Sequence, residues 1–387
     1  MSRNIFIACG EESGDKHGAS LMAALKSIDP ALEVAGMGGE RMRREGLVGL
    51  DSRAVSVVGL VEVAEKLPGI LRVYKLLKER LRQGPFDAVV LIDLPDFNLR
   101  LAKAAKKLGI PVIYYISPQV WAWRRGRIKK IARVVDKMLV VFPFEVELYK
   151  DAGVDVEYVG HPLAGTAVCP LTKEQARAAL GIEAGMAVVS LLPGSRTGEV
   201  TRTLGTLLAA AGLVRDGLKG RRCVFLVPAA DSIEDSFIGG FMKQAPPRLD
   251  VRVVRGRMYE ALRASDAAAV TSGTATLETA LIGTPMVIIY KMSSLSFSIG
   301  KMLIGVKSVG LPNIIAGRAL VPELLQDDAT PERISAELLS LLTDEARRLE
   351  MADGFERVRE LLGHGGAAIA AARAIDGVIA RSRAAAR

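Results

Sequence analysis

The chain has 387 residues, of which half are hydrophobic and 25% are charged, and its formal net charge at pH 7 is +9. This composition excludes intrinsic disorder, and the length exceeds that of one ordinary hydrophobic core, which predicts two domains. The three cysteines and three histidines are scattered, so they give neither a disulfide framework nor the ligand spacing of a metal site. No apolar run approaches the ~20 residues that cross a bilayer, and the first is too short for a signal peptide, so we predict a cytoplasmic protein.

The positive charge is unevenly distributed along the chain. No acid lies between residues 97 and 135, where ten bases occur, and a second acid-free segment runs from 279 to 322. An excess of bases favours an anionic partner, which is a nucleic acid, a membrane surface or a phosphorylated small molecule. The sequence contains no recognised nucleic-acid-binding module, which disfavours the first of these partners.

The first apolar run, residues 5–9, predicts a buried strand, and a polar loop follows it. Residues 10–15 read Gly-Glu-Glu-Ser-Gly-Asp and combine two glycines with three acids. Open α/β sheets bind ligands beyond the carboxyl ends of their strands, so we predict that Glu12, Ser13 and Asp15 border a site. Capping of the following helix is the alternative role for the last two of these.

An amphipathic segment lies between residues 60 and 82. Its apolar residues recur at helical spacing among six bases, which are Lys66, Arg72, Lys75, Lys78, Arg80 and Arg82. Such a helix is typical of a membrane surface and equally of a domain helix with a solvated basic face.

The next predicted strand, residues 87–92, is followed by two carboxylates. Asp93 stands at the end of the strand, and Asp96 comes after Pro95. Carboxylates beside a buried strand are costly unless they bind or catalyse something, so both are candidate site residues. A helix begins after them, and Asp96 is better placed than Asp93 to cap it.

The strand at residues 111–116 leads into a loop with both tryptophans of the chain. Trp121 and Trp123 are followed by three arginines, the first of which is Arg124. Aromatic rings flanked by arginine stack on bases, hold sugars or lie at a bilayer interface, so Trp121 and Arg124 are candidates for ligand contact. Packing in the domain core is the alternative for one of the two tryptophans.

The alternation of strand and helix stops near residue 164 and resumes after residue 185. We therefore predict an N-terminal domain at 1–164, a linker with one short helix at 165–185, a second domain at 186–340 and C-terminal helices at 341–387. This alternation predicts an α/β protein with two doubly wound, Rossmann-like domains and a ligand cleft between them.

Two predicted strands of the second domain end in turns rich in glycine and hydroxyl groups. The first turn is residues 193–196 (Pro-Gly-Ser-Arg), and the second is residues 272–274 (Ser-Gly-Thr). Helix N-termini offer N–H groups and a partial positive charge, so both turns suit a phosphate, with Arg196 as an added cation. Glu278 follows one turn later, where a carboxylate can accept the paired hydroxyls of a ribose. An ordinary turn with a solvated arginine is the alternative for the first.

Together these features indicate an activated nucleotide in the second domain and an acceptor in the first. A dehydrogenase is disfavoured because no G-x-G-x-x-G follows a strand. A kinase is disfavoured because neither a phosphate-loop lysine nor metal-binding carboxylates stand in the required places.

Seven segments, in this order, resemble motifs of the lipid-A-disaccharide synthase family, which are glycosyltransferases of GT-B architecture. They are residues 10–15 with Gly18 and Ala19, 93–98, 117–123, 160–162, 192–196 with Glu199, 272–275 and 311–313. No single motif is decisive, whereas seven motifs in the same order along the chain are highly specific for the family. The resemblance runs from residue 10 to about residue 326.

The resemblance implies transfer of the sugar of UDP-2,3-diacylglucosamine to the 6-hydroxyl of 2,3-diacylglucosamine 1-phosphate (lipid X), which gives lipid A disaccharide 1-phosphate and UDP. Inversion in one displacement needs a carboxylate that takes the acceptor's proton and groups that stabilise the departing diphosphate. The resemblance assigns these tasks to Asp93, with Asp96 still open, and to Arg196. The residues that it places in the UDP-sugar site are Ser195, Ser272, Gly273, Thr274, Glu278 and Asn313.

The resemblance carries further expectations about cofactors and partners. Helix N-termini and Arg196 would hold the diphosphate, so no metal and no other cofactor is expected. Both substrates carry acyl chains, so the basic segment 60–82 and the segment 290–307 are candidates for contact with an anionic membrane. The expected location is the inner face of the cytoplasmic membrane, with peripheral attachment, no nucleic acid as partner, and oligomer formation left open. The alternative is another UDP-sugar enzyme of GT-B fold, such as the peptidoglycan N-acetylglucosaminyl transferase or a UDP-sugar epimerase.

Overall fold

The computed structural model of the chain describes residues 3–52, 60–121, 125–291 and 308–385. It divides into two compact units. The first unit consists of Met1–Pro162 and His364–Arg387, and the second of Leu163–Gly363.

The first unit is built on a parallel sheet of seven described strands in the order β3-β2-β1-β4-β5-β6-β7. The strands are β1 (Asn4–Ala8), β2 (Glu33–Gly38), β3 (Val48–Asp51), β4 (Ala88–Ile92), β5 (Val112–Tyr115), β6 (Lys137–Val140) and β7 (Val156–Tyr158). The helices that follow them are α1 (Glu12–Ile28), α2 (Glu40–Arg44), α3 (Leu60–Gln83), α4 (Pro95–Lys107), α5 (Ile128–Ile131) and α6 (Glu145–Lys150). Every residue of β4 and β5 is buried, as expected where helices cover both faces of a parallel sheet.

The second unit repeats this plan with six described strands in the order β10-β9-β8-β11-β12-β13. The strands are β8 (Ala187–Leu192), β9 (Cys223–Ala229), β10 (Val251–Arg255), β11 (Ala267–Thr271), β12 (Met286–Tyr290) and β13 (Glu323–Leu325). The helices are α7 (Pro162–Thr166), α8 (Lys173–Ala179), α9 (Thr197–Gly217), α10 (Asp235–Met242), α11 (Met258–Ala264), α12 (Thr274–Ile282), α13 (Leu311–Ala316), α14 (Pro331–Thr343) and α15 (Glu345–Leu362). The predicted α/β class with two doubly wound sheets is thus confirmed.

Each sheet reverses its strand order at one point. In the first sheet β1 and β4 are neighbours, with Ala8 paired to Leu91, and in the second β8 and β11 are neighbours, with Leu192 paired to Val270. The segments that follow these strand pairs therefore lie side by side at the carboxyl edge of their sheet. Open α/β sheets bind ligands at this switch point.

The structure differs from the predicted linker at 165–185. Helix α8 packs against α11, and Ala176 is fully buried within the core of the second unit. Arg177 and Lys173 both form ion pairs with Asp266, at 2.8 and 2.6 Å. These contacts make the segment a part of the second unit, which its alanine-rich and charged sequence did not reveal.

The structure also differs from the predicted block of C-terminal helices. The last helix, α16 (Ala367–Ala385), packs against α1 in the first unit. Arg383 pairs there with Asp87 at 2.7 Å. The chain turns towards this position at Gly363 and Gly366, both with a φ of +79°, a conformation that glycine adopts without strain.

Helix α3 contributes both buried and exposed apolar side chains. Val73, Leu77 and Leu81 are buried in the core of the first unit, whereas Leu71 and Leu76 are exposed. The helix therefore acts as a domain helix, and its exposed face keeps the membrane alternative open. The side chains of residues 60–67 and all of segment 292–307 lie outside the described residues. Within the described ranges, no helix has the length and apolarity that spanning a bilayer requires.

Candidate active site

Asp93 is held by the backbone of the neighbouring strand's loop. Gly10 donates its N–H to Oδ1 of Asp93 at 2.9 Å, and Glu11 donates to Oδ2 at 3.0 Å. Burial raises the pKa of Asp93 to about 8; the two hydrogen bonds oppose this shift, and the charge of Glu11 adds to it. In its ionised form a carboxylate with such a pKa is a stronger base than an ordinary aspartate, and a pKa close to the working pH suits a general base.

The glycines of the 10–15 loop make the close approach to Asp93 possible. A Cβ atom at Gly14 would lie 1.8 Å from Oδ2 of Asp93, and one at Gly10 would lie 1.8 Å from a side-chain carbon of Leu94. The two glycines of this motif are therefore explained by the space that the Asp93 and Leu94 side chains need. The sequence analysis considered only the polarity of the loop.

Asp96 occupies a different environment. Its side chain is 72% exposed and pairs with the buried guanidinium of Arg127 at 2.6 Å. Helix α4 begins at Pro95 with Leu94 as its N-cap, so Asp96 lies within the first turn and not at the N-cap position that was its alternative role. An exposed, ion-paired carboxylate is a poorer base than Asp93, so the surroundings favour Asp93.

The other residues predicted on the acceptor side lie in differing environments. Asp15 is 6% exposed, and its carboxylate accepts the N–H groups of Arg41 and Met42 at 3.0 and 3.1 Å. It thus gives the N–H groups in the first turn of α2 an acceptor, and its predicted place at the border of a site stays a prediction. Ser13 is exposed. Glu12 opens α1, but its side chain and all of Arg124 lie outside the described residues.

Trp121 takes the core alternative. It is 7% exposed, its ring packs edge-on against Phe142 and Phe144, and its Nε1 donates to Oε1 of Glu145 at 3.2 Å. Glu145 itself is 1% exposed, and burial raises its pKa to about 7. Sequence reasoning did not single out Glu145, although a lone acid just after a buried strand was the signal that identified Asp93.

The first turn of the second unit contains an internal anion. Oε2 of Glu199 accepts the N–H groups of Ser195 and Arg196 at 3.0 and 3.3 Å. Oε1 of Glu199 accepts Nη1 of Arg196 at 3.2 Å, while the arginine side chain stays 58% exposed. The N–H groups and the cation that were predicted to bind a phosphate therefore do lie together, and a carboxylate of the chain occupies them.

The second turn lies beside the first because β8 and β11 pair. Gly273 is the N-cap of α12, and both it and Thr274 are exposed. The hydroxyl of Ser272 donates to the carbonyl oxygen of Val309 at 3.1 Å. Glu278 lies in α12 and accepts the hydroxyl of Tyr259 at 2.6 Å, a partner that the sequence did not indicate.

Asn313 braces the segment that follows it, and its place in the nucleotide site stays a prediction. It is 2% exposed, and its Oδ1 accepts the N–H groups of Leu320 and Val321, both at 2.8 Å. Its Nδ2 donates to the carbonyl of Val321 at 2.8 Å and to Glu323 at 2.7 Å. The side-chain amide therefore has both of its ends hydrogen-bonded to the chain.

Comparison with known proteins identifies the family. A model of the lipid-A-disaccharide synthetase family matches residues 5–373. The chain belongs to this family. The lipid-A-disaccharide synthase of Syntrophus aciditrophicus is 47% identical over 372 residues, 96% of each chain, and that of Geobacter metallireducens is 47% identical over 366 residues, 94% of each chain. The resemblance seen in the motifs is thereby confirmed, and with it UDP-sugar-dependent glycosyl transfer in lipid A disaccharide synthesis.

Solved structures share the fold of this lipid-A-disaccharide synthetase family member at low identity. MurG of Acinetobacter baumannii has a TM-score of 0.61 at 15% identity and covers 97% of this chain and 100% of its own. The UDP-GlcNAc 2-epimerase of Neisseria meningitidis has a TM-score of 0.62 at 11% identity, with 98% and 99% covered. At such identities the likeness shows the GT-B type of fold alone. The sequence relatives named above are lipid-A-disaccharide synthases, which favours this activity over the alternative enzyme classes.

The described side chains do not cluster as metal ligands do. Among the described residues, no group of three or more His, Cys, Asp or Glu side chains could hold a metal ion. The expectation that the family's reaction needs no metal here stays a prediction.

Proposed function

We propose that this synthetase condenses UDP-2,3-diacylglucosamine with lipid X, with Asp93 as the general base and Arg196 as the stabiliser of the leaving diphosphate. The observation that carries the proposal is the partly buried Asp93 carboxylate at the switch point of the first sheet, with a pKa of about 8. Family membership supports the reaction type, and the motif match supports the assignment of residues.

The reaction proceeds as one in-line displacement at the anomeric carbon of the donor. The 6-hydroxyl oxygen of lipid X attacks that carbon opposite the diphosphate while Asp93 takes the hydroxyl proton. The bond to the diphosphate breaks in the same step, so the transition state resembles an oxocarbenium ion and negative charge grows on UDP. Fixed N–H groups and a cation at the leaving oxygen lower the barrier because they stabilise charge that develops only then.

The second unit supplies the donor contacts in this proposal. The N–H groups of Ser195 and Arg196 and the N-terminus of α12 at Gly273 and Thr274 face the diphosphate, since helix N-termini favour anions. Ser272 lines the same turn. Glu278 accepts the ribose hydroxyls through its carboxylate, beside its hydrogen bond from Tyr259.

A transfer assay tests the substrate assignment. We expect the purified chain to form one disaccharide and one UDP for each donor consumed when UDP-2,3-diacylglucosamine and lipid X are both present. Omitting lipid X should stop UDP release, and unacylated UDP-N-acetylglucosamine should serve as donor at less than a hundredth of the rate. Equal use of the unacylated donor, or conversion of the donor without an acceptor, would contradict the proposal.

We further propose that the exposed face of α3 contacts an anionic membrane, which would hold the enzyme near its acylated substrates. Lys75 and Arg82 are exposed on this helix, next to the exposed Leu71 and Leu76. Each base close to an anionic surface contributes about 1 kcal/mol to binding.

Charge reversal on α3 tests this contact. Replacing Lys75, Lys78 and Arg82 by glutamate should weaken co-sedimentation with phosphatidylglycerol vesicles by about 3 kcal/mol, on the order of a hundredfold. The matched control reverses Lys219, Arg221 and Lys243, which are exposed in the second unit, and should sediment nearly as the unchanged chain does. Equal loss in both triple variants would point to net charge in place of a contact through α3.

A further inference from the structure

The backbone of Asp93 is held at its carbonyl oxygen. Nδ2 of Asn98 donates to this oxygen at 2.8 Å, and the hydroxyl of Tyr114 donates to it as well. The same Nδ2 donates to the carbonyl of Ile92 at 2.9 Å. The end of β4 is therefore fixed from two directions, by the helix that follows it and by the neighbouring strand β5.

The backbone at this point adopts an unfavourable conformation. Asp93 has a φ of +55° and Leu94 a φ of +39°, so two consecutive residues with side chains stand in the left-handed region. Such a conformation is strained for a residue with a side chain and persists only where the surroundings impose it. The hydrogen bonds from Asn98 to the carbonyls of Ile92 and Asp93, and from Tyr114 to the carbonyl of Asp93, impose it here because they fix the peptide planes on both sides of Asp93.

Asn98 also bears a cost that folding alone does not explain. It and Tyr114 are fully buried, and Oδ1 of Asn98 has no hydrogen-bond partner among the described residues. A buried acceptor without a hydrogen-bond partner destabilises the folded chain, because it has lost its hydrogen bonds to water. Backbone strain and unsatisfied polar groups concentrate at functional sites. Here the strained residues are the proposed base and its neighbour, and the unsatisfied amide belongs to a residue hydrogen-bonded to that base.

From these contacts we infer that Asn98 and Tyr114 are positioning residues of the transfer reaction. By holding the carbonyls of Ile92 and Asp93, they keep Asp93 left-handed and so direct its carboxylate at the N–H groups of Gly10 and Glu11. Neither residue touches the substrates in this scheme. The inference rests on the proposed role of Asp93 as base.

The charged and titratable groups around Asp93 set the pH dependence. Glu11 and the Cys9 thiol lie on the β1–α1 side, and Tyr114 lies on β5 with Arg127 beyond it. The N–H groups of Gly10 and Glu11 lower the pKa of Asp93, against the larger effect of burial. A carboxylate that loses these two hydrogen bonds should therefore titrate at higher pH.

Tyr114→Phe tests the inference because it removes only the hydroxyl. We expect kcat to fall about 10- to 100-fold with KM within about threefold, because a misplaced base affects the transition state alone. The rising limb of kcat/KM against pH should move to higher pH. Tyr115→Phe is the matched control, since Tyr115 is equally buried on the same strand, and it should leave both quantities unchanged.

Asn98→Ala and a double-variant series cover the case in which one variant folds poorly. Near-UV circular dichroism and the thermal unfolding transition, compared with those of the unchanged chain, report whether the first unit, which contains both residues, is folded in each variant. Tyr114→Phe and Asn98→Ala should combine to less than the product of their separate effects on kcat, because both act on one carbonyl. In an Asp93→Asn background, Tyr114→Phe should not reduce the residual transfer further.

The outcomes separate the inference from the proposed function. Near-normal turnover of Asp93→Asn would remove the base assignment itself. The inference alone would be overturned if Asp93→Asn were inactive while Tyr114→Phe had the same kcat as Tyr115→Phe. It would also be overturned if the rising limb of kcat/KM for Tyr114→Phe stayed in place or moved to lower pH.

Discussion

Asp93→Asn is expected to lower turnover by a factor of about a hundred to ten thousand, the range typical of removing a general base. The amide cannot take the proton of the acceptor hydroxyl, whereas the nucleotide contacts are proposed on the other unit. UDP affinity, measured by calorimetry, should therefore stay within about twofold of that of the unchanged chain.

Asp96→Asn is the matched control for this prediction, because it makes the same chemical change three residues away. Its carboxylate is 72% exposed and paired with Arg127, so we expect turnover to stay within about tenfold. If Asp96→Asn were inactive and Asp93→Asn nearly normal, the base would have to be reassigned to Asp96.

Arg196→Ala is expected to lower kcat by about a hundred- to a thousandfold, as is typical when a donor to a developing negative charge is removed. UDP affinity should fall by much less, because most of the charge that Arg196 meets arises in the transition state. Steady-state kinetics combined with UDP titration measures the two effects separately.

Arg202→Ala provides the comparison for the arginine. Arg202 is exposed and lies on the same helix, α9, so its loss changes the net charge equally. We expect its kcat to stay within about threefold. A fall in UDP affinity that accounts for the whole loss of activity in Arg196→Ala would assign that residue to binding in place of charge stabilisation.

The fold could be predicted from the sequence because its signals are local. Continuous apolar runs such as residues 88–92 have the composition of strands buried on both faces, and each is followed by a polar turn and a helix. The turns after β8 and β11 were recognisable for the same reason. The place of α16 was not, since an alanine-rich helix carries no mark of the unit that it packs against.

The site residues could be predicted only where one loop contains the whole signal. Asp93 was found because it ends a strand, whereas the structural tasks of Asp15 and Asn313 depend on N–H groups that the chain brings in from other segments. The same limit hid Tyr114, whose hydroxyl donates to the carbonyl oxygen of Asp93 from 21 residues away. A motif shows that a residue type stands in a loop, but its partners follow only from tertiary packing.

The carboxylate of Glu199 at the Ser195–Arg196 turn has a consequence for the catalytic cycle. A diphosphate that binds at this turn must replace a negatively charged group that is already there. The observed binding free energy is therefore the difference between the interactions that the two anions make with the same N–H groups. In the proposed binding mode, the Glu199 carboxylate would replace the diphosphate at these N–H groups when UDP departs. We therefore expect the turn to hold UDP less tightly than the same N–H groups would without an internal acceptor.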